Sequence, residues 1–180
     1  MKKVLLLSIT AFCVNICLAQ KLTSGSLEDV FDQETLNVDF DFSKAVIDGM
    51  KESALLNIGG ERASDWQRDK NEICSKFLIA MYGQTKDFIE IGHYPDAQYT
   101  LVFIPASFDD DGEVRGSAHV VNNEGEVIAT IEKINGDGGR WGSFTNLCGD
   151  AMERAGDEVG SLLQREARKA QKAKKASAKN

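Results

Sequence analysis

The chain has 180 residues, with 21 Lys and Arg against 28 Asp and Glu for a formal net charge of −7, and 42% of it is hydrophobic. That length and apolar content exclude global disorder and suit a single domain with one core. Charge is unevenly placed: residues 20–164 carry a net −15 and residues 165–180 a net +6, so the body repels phosphate backbones and nucleic acid is excluded as its main partner.

Met1-Lys2-Lys3 forms a short positive segment, Val4 to Leu18 an apolar run, and Cys17-Leu18-Ala19 places small residues where a signal peptidase reads. Residues 1–19 are therefore expected to be a signal peptide. The run is shorter than the roughly 20 residues that span a bilayer. Neither Cys13, after Phe12, nor Cys17, after Ile16, has the preceding small residue that lipid attachment requires. The expectation is a periplasmic or extracellular chain beginning near Gln20, with no transmembrane segment.

Residues 20–33 are polar and lack a sustained period, which predicts a surface or mobile leader. Leu36, Val38, Phe40 and Phe42 then alternate with polar residues, a half-buried strand. From Ser43 the period changes, and Ala45, Val46, Met50, Ala54 and Leu55 predict a short helix stopping near Gly59-Gly60. Trp66, Ile73, Cys74, Phe77, Leu78 and Met81 form the stripe of a second helix that Gly83 is expected to end. Phe88 to Ile91 is a short apolar stretch of strand character. Tyr99 to Phe108 is apolar on both faces and predicts a central strand, with Pro105 near its end. Val114 to Val121 and Glu126 to Ile134 predict a hairpin turned by Asn122-Asn123-Glu124-Gly125. A glycine-rich turn, residues 136–142, leads into the most regular stripe of the chain: Phe144, Leu147, Cys148, Ala151, Met152, Ala155, Val159, Leu162 and Leu163.

The order β-α-α-β-β-β-α, with three strands in succession, predicts an α+β fold: an antiparallel sheet with helices packed on one face. One domain covers residues 34–164, and residues 165–180 form a basic tail suited to anionic surfaces.

The chemistry is sparse. The glycine turn has the strand-to-helix context of a phosphate cradle, but Gly136, Gly138, Gly139 and Gly142 fit neither nucleotide-binding spacing, so a tight turn with close helix approach is the expected role. Arg140 and Trp141 are the recognition pair that this turn presents. Asp109-Asp110-Asp111-Gly112 misses the acidic ligands of a calcium loop at Ser107 and Ala118, and the two histidines, His93 and His119, are too few for a metal cage. No catalytic, cofactor-binding or metal residue is assigned, and no cofactor is expected. The polar face carrying Arg115, Ser117 and His119, with Asp39, Asp41, Thr130 and Glu132, is read as an ordinary wet sheet surface. Gly156 and Gly160 predict close packing onto the sheet. Cys74 and Cys148 both lie on apolar helix faces. They are either a disulfide, worth about 4 kcal/mol in the chain-entropy picture, or two buried thiols.

Gly138-Gly139-Arg140-Trp141-Gly142-Ser143-Phe144, followed by Gly149-Asp150-Ala151 and Gly156, with Asp41-Phe42-Ser43-Lys44 and Asp65-Trp66, resembles uncharacterised secreted proteins of the Bacteroides group. More loosely, a three-strand meander ending in an amphipathic helix is similar to periplasmic domains of envelope lipoproteins, namely the curli-secretion channel and the activators of penicillin-binding proteins. That resemblance implies action by binding, although the lipid-anchor cysteine of those proteins is missing here. The expectation is a non-catalytic binding or assembly module of the cell envelope, with an envelope or secreted protein as partner. The alternative is a hydrolase or small-ligand enzyme using the sheet face or the glycine turn.

Overall fold

The computed structural model describes residues 21–178. The segment read as a signal peptide lies outside the described residues, as do the last two residues of the tail. The strands are β1 (Lys21–Gly25), β2 (Thr35–Phe40), β3 (Val46–Ile47), β4 (Met50–Lys51), β5 (Glu90–Gly92), β6 (Tyr99–Phe108), β7 (Val114–Asn122) and β8 (Val127–Gly136). The helices are α1 (Glu52–Ile58), α2 (Glu61–Thr85) and α3 (Phe144–Ser177).

The sheet runs β1-β8-β7-β6-β2-β5, with the short β3 and β4 attached at the end of β6. The expected antiparallel meander is present as β6, β7 and β8, but the sheet as a whole is mixed, which corrects the antiparallel reading. β2 pairs in parallel with both β5 and β6, Asn37 standing opposite Gly92 on one side and Thr100 on the other. The cause is the connection. A helix between strands returns the chain to its starting edge, so the next strand runs in the same direction, and α2 does this between β2 and the pair β5 and β6.

Helices cover one face. Leu36 and Val38 of β2, Leu101 and Phe103 of β6, Ala118 and Val120 of β7, and Ala129 and Ile131 of β8 are buried there with Phe77 and Met81 of α2 and Met152 and Val159 of α3. The rings interlock: Phe77 meets Phe40 edge to face at 5.4 Å and Phe103 tilted at 4.8 Å, and Trp66 meets Phe108 edge to face at 5.3 Å. The buried Trp66 indole donates to Glu52 Oε1 at 2.8 Å, which satisfies its one polar atom. On the opposite face Asn37 is buried and engaged on both sides, donating to Thr100 Oγ1 at 3.2 Å and accepting from the Tyr94 amide at 2.9 Å. It ties the β5–β6 connection to the sheet.

Three local expectations are revised, and the tail takes a defined structure. The leader is not a loose surface segment: β1 pairs with β8 as an edge strand, and Leu27 and Val30 are buried. The helix expected from Ser43 begins only at Glu52, because Val46 and Ile47 are β-branched and pair with the end of β6 instead. Gly83 does not end α2, which continues to Thr85. The basic tail continues α3 without a break to Ser177, with Ala167 and Ala170 still buried.

The glycines of α3 also pack differently. Gly156 and Gly160 face α2, not the sheet: a Cβ at Gly156 would stand 2.2 Å from the Phe77 carbonyl oxygen, and one at Gly160 would stand 2.9 Å from that of Met81. Backbone cannot yield as a side chain does. Gly156→Ala is accordingly expected to destabilise by about 1–3 kcal/mol, the cost of overpacking. Gly83→Ala, where a Cβ meets nothing within 4 Å, should stabilise by about 0.5–1 kcal/mol through helix propensity. Urea unfolding of the two variants beside the parent chain measures both signs.

Candidate recognition site

The loop from Gly136 to Gly142 joins β8 to α3, and its shape follows from what it must pass. Gly136 runs against the Ala151 carbonyl and Gly138 against the Asp111 carbonyl, each so close that a Cβ would stand 1.9 Å from the oxygen. From α3, Arg154 Nη1 reaches back and donates to the carbonyls of Asp137 at 2.9 Å and Gly138 at 3.3 Å. Ser143 caps the helix, its Oγ accepting from the Asn146 amide at 3.3 Å. The loop is thus held from both sides. Gly136 and Gly138 look onto carbonyl oxygens and Gly139 onto the Asp150 carboxylate, an environment that repels phosphate, while Gly142 faces the Asn146 side chain. Close approach is the role of these glycines.

From this clamped loop Arg140 and Trp141 stand into solvent, Trp141 at 90% exposure. Immediately after them, the first turns of α2 and α3 border a cleft of about 320 Å³ lined by Glu61, Arg62, Asp65, Phe144 and Thr145. The Arg62 guanidinium lies 4.7 Å above the Phe144 ring and pairs with Asp48. Asp65 pairs with Arg68 at 3.0 Å, and further along the same helix interface Lys76 pairs with Asp150 at 3.1 Å. The Asp69 carboxyl is held below the usual range by hydrogen bonds from Arg68 and Thr145. Arg62 and Asp65 are thus paired around the one aromatic ring, while Glu61 has no ion pair among the described residues, so the cleft keeps one uncompensated acid.

Sequence reasoning missed the cleft that Arg62, Phe144 and Thr145 line, which begins three residues after Trp141 in the chain. Phe144 was counted only as core, and nothing in a linear reading brings the start of α2 beside the start of α3.

The polar sheet face exists as a row. Asp39 stands opposite Val102, Val102 opposite His119, and His119 opposite Thr130. An apolar side chain separates the acid from the histidine. Arg140 does not join them: its loop leaves β8 at Gly136, which pairs with Val114, and His119 lies five residues further along β7, roughly 17 Å away. Arg115 is engaged by Glu113 at 3.0 Å. The Asp41 carboxyl, below the usual range through hydrogen bonds from Ser43, accepts from the Ser43 amide at 2.9 Å. In the Asp109–Gly112 turn the Asp109 carboxylate accepts from the Glu113 amide at 2.9 Å. Among the described residues no group of three or more His, Cys, Asp or Glu is arranged to hold a metal ion, and no helix is long and apolar enough to cross a membrane.

The chain matches no protein-family model and no curated protein. The resemblance to secreted proteins of the Bacteroides group thus has no support from either comparison. Among solved structures it is similar to the PelC dodecamer from Paraburkholderia phytofirmans, at 10% identity and a TM-score of 0.39, over 78% of this chain and 97% of that one. A point variant of the same dodecamer aligns at 12% identity and a TM-score of 0.39, over 79% of this chain and 98% of that one. Likeness at this level is distant and carries no functional argument.

Of the two readings left open for the cysteines, the structure has free thiols. Cys148 is buried and Cys74 half-buried, and they face different surroundings: Lys70 and Glu52 act on Cys74, Asp109 and Arg62 on Cys148. Burial pushes both thiols up to about 12. At pH 8 the thiolate fraction is then about one in ten thousand. The unreduced chain from residue 20 onward, which keeps only Cys74 and Cys148, should resist thiol reagents at pH 8 when folded and titrate two thiols in denaturant; finding none in denaturant would establish the disulfide.

Proposed function

We propose that this chain is an exported, non-catalytic binding or assembly module of the cell envelope that engages an envelope or secreted partner through Arg140, Trp141 and the adjoining cleft. The observation that carries the reading is Trp141, an indole held in water by a loop clamped at both ends. Burying such a ring is worth about 2–3 kcal/mol, which favours a partner surface over solvent. Export rests on the charge and apolar pattern of residues 1–19. A hydrolase would need Arg140, His119 and Asp39 around one hollow, and these are set apart on different parts of the molecule.

The test is capture from envelope extract by the immobilised chain from residue 20 onward, beside Trp141→Ala and Arg140→Ala. Trp141→Ala should leave the melting temperature unchanged, since exposed substitutions alter stability by less than about 0.5 kcal/mol. It should weaken capture of a specific partner roughly 30-fold, the loss of about 2 kcal/mol. Capture insensitive to both substitutions, or no capture by the parent chain, overturns the proposal.

A further inference from the structure

The last turns of α3 divide their cations into two sets. Lys169 bonds Glu166 at 2.8 Å, and Lys174 pairs with Asp32 of the 3-10 turn Val30–Asp32, so these two are engaged within the molecule. Arg168, Lys172 and Lys175 recur at intervals of four and three residues, which places them on one helix face. All three are exposed and make no ion pair or hydrogen bond among the described residues. Arg165, one turn earlier on that face, reaches only its neighbour Glu166, at 3.5 Å. Ala167 and Ala170 are buried on the other side of the helix, so the domain fixes which face looks out. The result is a straight file of cations about 15 Å long, spaced about 4.5–6 Å along the axis.

We propose that the face formed by Arg165, Arg168, Lys172 and Lys175 is a docking rail for a flexible linear polyanion such as a carboxylate-bearing polysaccharide. Arg168, Lys172 and Lys175 have no ion pair among the described residues, which leaves their attraction for an anionic chain unspent. A chain-like ligand can follow the helix and meets the body only beside Arg168, which lines a hollow with Asp87 and Phe88. A flat anionic membrane would bring the body, at net −15 over residues 20–164, within the Debye length of about 8 Å and be repelled by it. Nor can the helix insert, because its apolar side is already packed on the domain. This inference goes beyond the Trp141 surface and does not depend on it.

The experiment uses the chain from residue 20 to 180 and polygalacturonate as probe, with affinity measured at 50 and 200 mM salt. The parent chain should bind, and weaken at least tenfold at the higher salt. The triple variant R168Q/K172Q/K175Q should bind at least tenfold more weakly at unchanged melting temperature. The triple K44Q/K51Q/R115Q, with the same change in net charge away from the last turns of α3, should stay within twofold of the parent. No binding by the parent at 50 mM salt, or equal loss in both triples, overturns the proposal. So does preference for phosphatidylglycerol vesicles over the polymer. Salt-dependent self-association abolished by the first triple also overturns it, since the acidic body of a second copy would then be the occupant.

Discussion

The close approach of α2 to α3 is the constraint on which the rest of the structure depends. The two helices run parallel: Lys76 meets Gly149, Phe77 meets Gly156, and Gln84 meets Gly160 and Gln164. Larger residues at Gly156 and Gly160 would hold the axes apart, and Phe77 would then lose its contacts with Phe103 and Phe40 on the sheet below. Because α2 follows β2 and α3 follows β8, locking the helices together also fixes the parallel half of the sheet against its antiparallel half. Polar pairs along the seam, Lys76 with Asp150 and Gln84 with Asp157 at 2.6 Å, add register more than stability, being exposed.

Packing of this kind was legible in part. Period-two alternation in β2 and the apolar run of β6 located both strands, because each shows its burial pattern within a few residues. The stripes of α2 and α3 were equally plain. What escaped is what depends on distant partners. β1 has no period of its own, and only pairing with β8 makes it a strand. Val46 and Ile47 join β6 instead of a helix for the same reason. The helix between β2 and β6 implies their parallel pairing, but the antiparallel expectation rested on the three consecutive strands alone. At the candidate site Arg140 and Trp141 were legible because a glycine turn cannot hide large side chains, whereas Arg62 enters through a helix more than 70 residues away in sequence.

Charge follows the same logic of near and far. Along the first half of α3, Asp150 takes Lys76 of α2, Asp157 accepts from the Gln84 side chain, and Glu158 accepts from the Asn135 amide at 3.3 Å. Partial burial raises the Glu158 carboxyl above its usual range, since fewer waters stabilise its charge. Past Gln164 the sign reverses. There the domain supplies only Glu166 and Asp32 to the described cations, and the helix outlives the surface it packs on. The eight residues 171–178 are all exposed, so continued helix there rests on propensity and on the favourable interaction of Lys174 and Lys175 with the C-terminal dipole.

These features set the scale of any partner. Trp141 lies just before α3 begins, and Lys172 lies 28 residues after Phe144, about 42 Å along the helix axis. The cleft between the first turns of α2 and α3 holds about 320 Å³, room for one small group. A small molecule can occupy one end of α3 and leave the other untouched, whereas a polymer or an envelope protein has the reach for both. Two weak contacts at fixed separation on one rigid helix gain affinity by effective concentration only if a single ligand spans them. A 34-residue helix locked to the domain along its first half makes that separation constant. The physical case for an extended partner therefore rests on the same glycine-lined seam that organises the fold.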